Sequence, residues 1–317
     1  MRLTEEQILL RDTARDVAQN LLAPGAAERD REARFPKAEL AELGKLGFMG
    51  ALVPEEWGGA GADHVGYALA LEEIAAGDGS VSTILSVHNS VGCVPILKFG
   101  SQEQKERFLR PMAAGEMLSC FCLTEPGAGS DAGAIKTRAV RHGNRWVLNG
   151  TKQFITSGST APVAIVFAVT DPEAGRKGIS AFIVPTATAG YRVARLEHKL
   201  GQRASDTAQL VFEDMELTPD LMLGQEGEGY RIALSNLEGG RIGIAAQALG
   251  MARAAYDAAL AYAQERESFG QKIIGHQAVA FRLADMATQL AAARGLILDA
   301  AQRRDDGEPC LDRKSVV

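Results

Sequence analysis

Residues 121–131 read FCLTEPGAGSD, and residues 149–158 read NGTKQFITSG. In the first stretch an apolar run, Leu118 to Leu123, breaks at Thr124, Glu125 and Pro126 into a loop carrying Gly127 and Gly129. Pro126 fixes φ and removes a donor, and the two glycines permit backbone conformations closed to other residues. Such a loop can turn successive N–H groups toward an anion, with the Ser130 hydroxyl as a further donor. The second stretch predicts a polar turn at Asn149 and Gly150 and then a strand, TKQFIT, rich in hydroxyl and amide side chains. Read alone, either stretch is also a tight turn at the rim of a sheet.

Outward from these stretches the texture is that of strands. LSCFCLT, IKTRAVR, RWVLNG, TKQFIT, VAIVFAV, ISAFIVP, YRVARLE and QLVFEDM are short, β-branched and aromatic, and punctuated by turn signals. They predict an all-β domain of about eight strands, a barrel or sandwich, with both key stretches at strand ends on its rim.

Before Leu118 the pattern is helical. Thr4 and Gln7 form a capping-box pattern that opens a helix ended by Pro24, and Pro36 opens a second helix closed by Gly47. A glycine-rich loop with Trp57 follows, where an aromatic packs under a long loop. Further helices run from Val65 to Ala76, Ser80 to Phe99 and Ser101 to Ala113, the last with Ser101 and Gln104 as a capping box. His88, a lone histidine with no nearby acid or cysteine partner, reads as a packed helix residue. After Pro219 a long helix, Tyr230 to about Glu267, and a second, Gly275 to Arg304, predict an antiparallel bundle whose small residues allow close approach.

With 317 residues and 46% hydrophobic content there is ample material for two or three domains. A net charge of −6 gives no general attraction to nucleic acid or to an anionic membrane surface. No apolar run approaches a transmembrane helix in length. Cys93, Cys120, Cys122 and Cys310 show no metal-ligand spacing, so no metal site is assigned. Cys120 and Cys122 share one face of a strand as small buried residues, and a reducing, cytoplasmic setting is expected.

The two stretches, with KLGQRASDTAQLVFEDM (199–215), EGGRIGIAAQALGMA (238–252) and RESFGQKIIGHQ (266–277), resemble the acyl-CoA dehydrogenase family, most nearly its short-chain and short-branched-chain members. The segments follow the family's order across nearly the whole chain. The resemblance implies an α+β multidomain fold: an N-terminal α-helical domain (1–117), a middle β-barrel domain (118–222) and an incomplete C-terminal α-helical bundle (223–317). It also implies FAD-dependent α,β-dehydrogenation of an acyl-CoA to the trans-2-enoyl-CoA, with electrons passed to an electron-transfer flavoprotein. The family is typically a homotetramer.

By that resemblance Phe121, Cys122, Leu123 and Thr124 face the isoalloxazine edge, and Phe154, Ile155 and Thr156 lie along the other side of the ring. Ser130 lies beside cofactor phosphate and the CoA chain. Arg266, Phe269 and Gln277 correspond to contacts with the diphosphate and adenine half of FAD in a neighbouring subunit; read alone, Arg266 is a solvated charge at a helix end. Glu238 and Arg241, three apart on one helix face, line the substrate channel, and read alone they form an intrahelical ion pair. Gly239 and Gly240 between them weaken the helix, which makes sense if an acyl-pantetheine chain passes close by.

The family's catalytic base is a glutamate in a YEGT-type segment, or in a minority of members a glutamate directly before the arginine. The first segment does not occur in these 317 residues and the second position is Gly240, so no catalytic residue is assigned. The expectation is a C-terminally truncated chain, ending in DRKSVV, with slow flavin reduction. A non-catalytic flavin-binding remnant, and an acyl-CoA oxidase or flavin monooxygenase on the same scaffold, are the alternatives.

Overall fold

The structure is a computed structural model and describes residues 2–310; the expectation about DRKSVV falls outside them. Both predicted capping boxes form. The Thr4 hydroxyl accepts from the Gln7 N–H at the start of α1 (Glu5–Val17), and Ser101 accepts from Gln104 at the start of α7 (Gln102–Gln104). The chain continues as α2 (Ala23–Glu32), α3 (Lys37–Lys45), α4 (His64–Gly77), α5 (Gly79–Val87), α6 (Val94–Phe99) and α8 (Arg110–Ala113). Gly47, just past α3, is left-handed at φ 82°, as a helix stop requires.

Pro24 does not end the first helix. A π turn, Ala18–Leu22, precedes it, and the Ala23 N–H donates to the Ala18 carbonyl five residues back. The same arrangement recurs twice. A π turn at His88–Cys93 precedes Pro95, with the Val94 N–H donating to Asn89, and one at Lys105–Leu109 precedes Pro111, with Arg110 donating to Lys105. Proline lacks an N–H and its ring collides with the carbonyl four residues earlier. Widening the turn before it moves that carbonyl aside, so the helix passes through the proline.

Gly79–Phe99, which the turn at His88–Cys93 makes one helical run, is long and apolar enough to cross a membrane by length and composition. That corrects the expectation of no such run. Most of its apolar stretch is buried inside the protein, and it carries buried Ser80, Ser82, Ser86, His88, Asn89 and Ser90. The Asn89 amide donates to the Phe48 and Leu85 carbonyls. His88 is fully buried. The Ser119 N–H donates to its Nδ1 (3.2 Å), and its Nε2 lies 3.0 Å from the Met112 carbonyl and 3.5 Å from the Cys93 sulfur, which corrects the expectation of no cysteine partner; His88 is packed in the helix as expected.

The chain forms two compact units. Of the described residues, the first joins 2–27, Asp63–Thr83 and 241–310. It holds α1, α4, most of α9 (Gly229–Glu265) and α10 (Gln277–Asp305). Two neighbouring carboxylates on α4 tie these helices: Glu73 pairs with Arg15 (2.8 Å) and Arg253 (2.6 Å), and Glu72 with Arg294 (3.2 Å). Gly250 of α9 lies so close to α4 that a Cβ there would sit 2.1 Å from the Glu72 carbonyl oxygen, the close approach that small residues predict.

The second unit, Glu28–Ala62 with Ile84–Gly240, contains the β domain. Its strands are β1 (Ser119–Cys122), β2 (Arg138–His142), β3 (Arg145–Thr156), β4 (Val163–Val169), β5 (Ile179–Pro185), β6 (Tyr191–Leu196), β7 (Thr207–Leu217) and β8 (Met222–Leu223). They form one mixed sheet in the order β6-β7-β3-β2-β4-β5-β8, with β1 parallel to β4. The buried faces of β4 and β5 supply much of the core, and Trp57 packs at its edge, 8% exposed. Outside this sheet β9 (Glu267–Ser268) and β10 (Gln271–Lys272) form a hairpin.

Asn149 and Gly150 are not a turn between two strands. RWVLNG and TKQFIT are one continuous strand, β3, and the register against β7 slips between Leu148 and Gly150. A Cβ at Gly150 would lie 2.4 Å from the Thr137 hydroxyl. The Asn149 side chain is spent across the sheet, accepting from the Asp214 N–H (2.8 Å) and donating to its carboxylate (3.1 Å). A bulge uses the same residues as a hairpin turn, which is why the sequence suggested one.

Candidate functional site

The two key stretches meet. The Gln153 N–H donates to the Thr124 carbonyl (2.8 Å), and the Lys152 ammonium donates to the Leu123 carbonyl (3.1 Å) and to the Glu125 carboxylate (2.8 Å). Glu125 also accepts from the N–H groups of Lys136 (2.6 Å) and Thr137 (3.0 Å). The loop after β1 is thereby closed on itself, with Glu125 and Ala128 exchanging backbone hydrogen bonds. Sequence reasoning assigned no role to Glu125 or Lys152, although both lie inside the quoted stretches.

Burial works against both charges. For Glu125 it is outweighed by Lys152 and by the N–H donors, leaving the carboxyl below its ordinary range. For Lys152 burial wins over the attraction of Glu125, and its pKa lies below the usual lysine value.

What this clamp leaves facing outward is distinctive. Gly127 and Gly129 are not left-handed, which corrects the conformational reason first given for them. A Cβ at either would meet open space within 4 Å, so these glycines clear room beside the loop. Phe154 is 62% exposed and left-handed (φ 59°), at a register slip between Lys152 and Ile155. An aromatic residue held so, with its ring in solvent, stores backbone strain of the kind that collects at functional sites. Among the described residues the hydroxyls of Thr124, Ser130 and Thr156 find no hydrogen-bond partner in the protein.

The remaining candidates of this unit divide by burial. Phe121 is half-buried, its ring edge-on to Phe167 at 4.9 Å. The side chains of Cys122, Leu123 and Ile155 belong to the core, so only their backbones can face a ligand. The Cys122 sulfur lies 3.8 Å from that of Cys120, and burial raises its thiol well above the ordinary value. Beyond Thr156, the Asp206 carboxylate accepts from the Ser159 N–H (3.0 Å) and hydroxyl (2.7 Å) and from Thr160 (2.9 Å). The segment 199–207 is thus held to the end of the second stretch.

Glu238 is half-buried and Arg241 exposed on α9. Gly240 has a packing reason of its own, because a Cβ there would lie 3.2 Å from the Ser90 hydroxyl and 3.7 Å from Val91. In the other unit, Arg266, Phe269 and Gln277 gather at the β9–β10 hairpin. Phe269 (φ 51°) and Gly270 (φ 77°) form its tip, and the Phe269 ring is 98% exposed, edge-on to His276 at 6.1 Å. Arg266 is exposed without a carboxylate partner among the described residues, and Gln277 is the exposed first residue of α10. Among the described residues no group of three or more His, Cys, Asp or Glu is placed to hold a metal ion.

The chain matches the acyl-CoA dehydrogenase N-terminal domain over residues 4–116, the middle domain over 120–215 and the C-terminal domain over 227–317. The chain belongs to the acyl-CoA dehydrogenase family. It is 47% identical to an acyl-CoA dehydrogenase of Bacillus subtilis (strain 168), across all of this chain and 84% of that one. It is 48% identical to the mitochondrial short-chain specific acyl-CoA dehydrogenase of Homo sapiens, across all of this chain and 77% of that one. Among solved structures, butyryl-CoA dehydrogenase from Megasphaera elsdenii superposes with a TM-score of 0.97 at 41% identity, covering all of this chain and 84% of that one. A glutaryl-CoA dehydrogenase from Mycobacterium smegmatis in complex with FADH2 gives 0.93 at 35%, covering 99% and 80%.

This acyl-CoA dehydrogenase is therefore an oxidoreductase with the family's N-terminal helical, middle β and C-terminal helical parts. Members of the family are flavoproteins. The residues around the clamped loop fit such a group: glycines that clear space, an exposed ring, and hydroxyls with no partner among the described residues.

Proposed function

We propose that this acyl-CoA dehydrogenase converts a short or short-branched acyl-CoA to its trans-2-enoyl-CoA with FAD, and that an electron-transfer flavoprotein takes the electrons. The reading is carried by the meeting of Phe121–Thr124 and Phe154–Thr156 through the Glu125–Lys152 clamp, with Thr124, Ser130 and Thr156 left as free donors. The identity with a short-chain specific relative supports the chain-length class. The complex of a glutaryl-CoA dehydrogenase with FADH2 supports the cofactor.

Bound flavin would accept hydride from the β carbon of the thioester, and the α proton, with no base assigned among these residues, would pass to solvent water. In this reading Phe154 covers the ring face with apolar surface, and the Thr156 hydroxyl donates toward the electron-rich edge of the reduced ring. The planar fork of Arg266 suits the diphosphate, with Phe269 and Gln277 on the adenine side. Because that hairpin would serve a neighbouring subunit's cofactor, a homotetramer is part of the proposal. Ser130, Glu238 and Arg241 bind the acyl-CoA. Gly240, directly before Arg241, offers no base, and Glu238, two residues earlier, projects from the opposite side of the helix. No base is assigned to either position.

Residues 1–117, 118–222 and 223–317 are proposed as the three divisions, supported by the three matched ranges. A reducing, cytoplasmic setting accompanies the reading, supported by four cysteines that are all free thiols.

The test is prolonged anaerobic incubation of the FAD-loaded protein with butyryl-CoA. Bleaching of the flavin band with stoichiometric enoyl-CoA, followed by reoxidation with electron-transfer flavoprotein, is expected. Absence of both thioester binding and bleaching would sink the reading. Rapid reoxidation by air would point instead to an acyl-CoA oxidase or a flavin monooxygenase.

A further inference from the structure

Many arginines among the described residues pair with carboxylates; Arg176, like Arg266, does not. It sits on the exposed 310 turn Pro172–Gly178, and among the described residues no carboxylate lies within ion-pair distance of it. Its guanidinium carbon lies 5.1 Å from the centre of the Tyr230 ring. Stacking of this kind fixes the plane of the guanidinium while leaving its N–H groups to point outward around the rim.

The supports of this arrangement are rigid. The Gly178 carbonyl accepts from the N–H groups of Thr170 (2.8 Å) and Asp171 (3.1 Å), which closes the base of the turn. Gly229 presses against β5, where a Cβ would lie 2.5 Å from the Ser180 carbonyl carbon, and this fixes Tyr230 next to it. The Gly227 N–H donates to the Ser180 hydroxyl (2.9 Å). The same strand therefore holds both the arginine's turn and the tyrosine.

Arg176 also passes the loop that carries Ser130. A Cβ at Gly133 would lie 3.2 Å from its Nε and 3.3 Å from its Cγ. Asp131 reaches the same place, with Oδ1 at 3.6 Å from that position, but forms no ion pair with the arginine. Glycine at 133 thus lets an unpaired cation lie beside the Ser130 loop.

We propose that Arg176, flat on Tyr230 and passing Gly133, binds a phosphate of the CoA thioester. This rests on the acyl-CoA reading and extends it to the nucleotide end of the substrate. A charge-assisted, potentially bidentate contact to phosphate is strong enough to show in affinity. The flavin diphosphate is the other phosphate source, and it is separated in the test.

The flavin-loaded protein is titrated with butyryl-CoA and with S-butyrylpantetheine, which lacks the phosphates. Arg176→Gln should weaken butyryl-CoA binding by roughly tenfold to a hundredfold, while S-butyrylpantetheine binds the variant and the wild type alike. Gly133→Ala, by displacing the arginine, should shift butyryl-CoA affinity in the same direction and less. Retention of FAD through a desalting column should not change. Equal weakening for both thioesters, no weakening for either, or loss of FAD would overturn the assignment. Wild-type protein that binds no butyryl-CoA would overturn the acyl-CoA reading itself, whereas wild-type binding that Arg176→Gln leaves unaltered overturns this inference alone.

Discussion

The Lys152 ammonium lies 2.8 Å from a carboxylate oxygen of Glu125, and the two side chains are 0% and 6% exposed. Each comes from a different one of the two stretches that shape the site. Removing one partner of a buried pair leaves an uncompensated charge, at a cost of about 3–5 kcal/mol. Lys152→Met is expected to lower unfolding free energy by about that amount and to loosen flavin binding. Urea melts and flavin retention on a desalting column measure both. The double variant Lys152→Met/Glu125→Leu should be milder than the single one. A Lys152→Met protein as stable as wild type would mean that the clamp contributes little.

Stability should depend on His88 in acid. Because the Ser119 N–H donates to Nδ1, the neutral ring carries its proton on Nε2, toward the Met112 carbonyl. Burial pushes its pKa down to about 4. The unfolded chain, near 6.5, binds more protons between these values, so stability is complete above the unfolded pKa and falls as pH drops from about 6.5 toward 4. The loss is at most about 3 kcal/mol. Urea midpoints across this range should slope for the wild type, and His88→Gln should flatten the slope. An equal slope in both proteins would exclude His88 as the cause.

Phe154 carries a cost that a ligand should justify. Its left-handed backbone is unfavourable by roughly 1–2 kcal/mol for a residue with a side chain. Phe154→Gly should raise the melting temperature of the flavin-free protein and at the same time reduce flavin retention. If the variant melts lower without flavin, the strain argument fails. If it keeps flavin as tightly as wild type, Phe154 does not cover the ring.

Glu238 should be dispensable for proton abstraction. Its place two residues before Gly240 turns it away from the position directly preceding Arg241. Glu238→Gln should alter the rate of flavin reduction by butyryl-CoA by less than about tenfold, below the 10²–10⁴ range typical of a lost base. A larger loss would make Glu238 the proton acceptor after all.

The helices with caps and stops and the eight-stranded β region were legible because each rests on local chemistry, whereas a shared site for the two key stretches was implied by the family resemblance. Thr4, Ser101 and Gly47 signal helix ends within four residues of themselves. Other features depend on partners far away in sequence. Asn149–Gly150 reads as a turn until Asp214, across the sheet, takes up the asparagine side chain. Gly127 and Gly129 were noticed, but their use, space rather than conformation, shows only when their surroundings are known. Arg176 carried no signal at all, since nothing in its neighbours along the chain brings Tyr230 or Gly133 to it.

The three π turns before Pro24, Pro95 and Pro111 have a bearing on how this chain tolerates change in length. Each is a helix with one residue more than its α-helical path needs, and one residue is about 100° of rotation. The wide turn takes up that residue, so the helical face after each proline stays in phase with the face before it. Ile84 and Leu85 on one side and Ile96 on the other are accordingly all buried. Deletion of a single residue inside His88–Cys93 would remove the need for the wide turn and leave Ile96 facing the core, while bringing Pro95 against the carbonyl four residues before it. The wide turns thus buffer these runs against a change of one residue in length, and proline fixes where they sit.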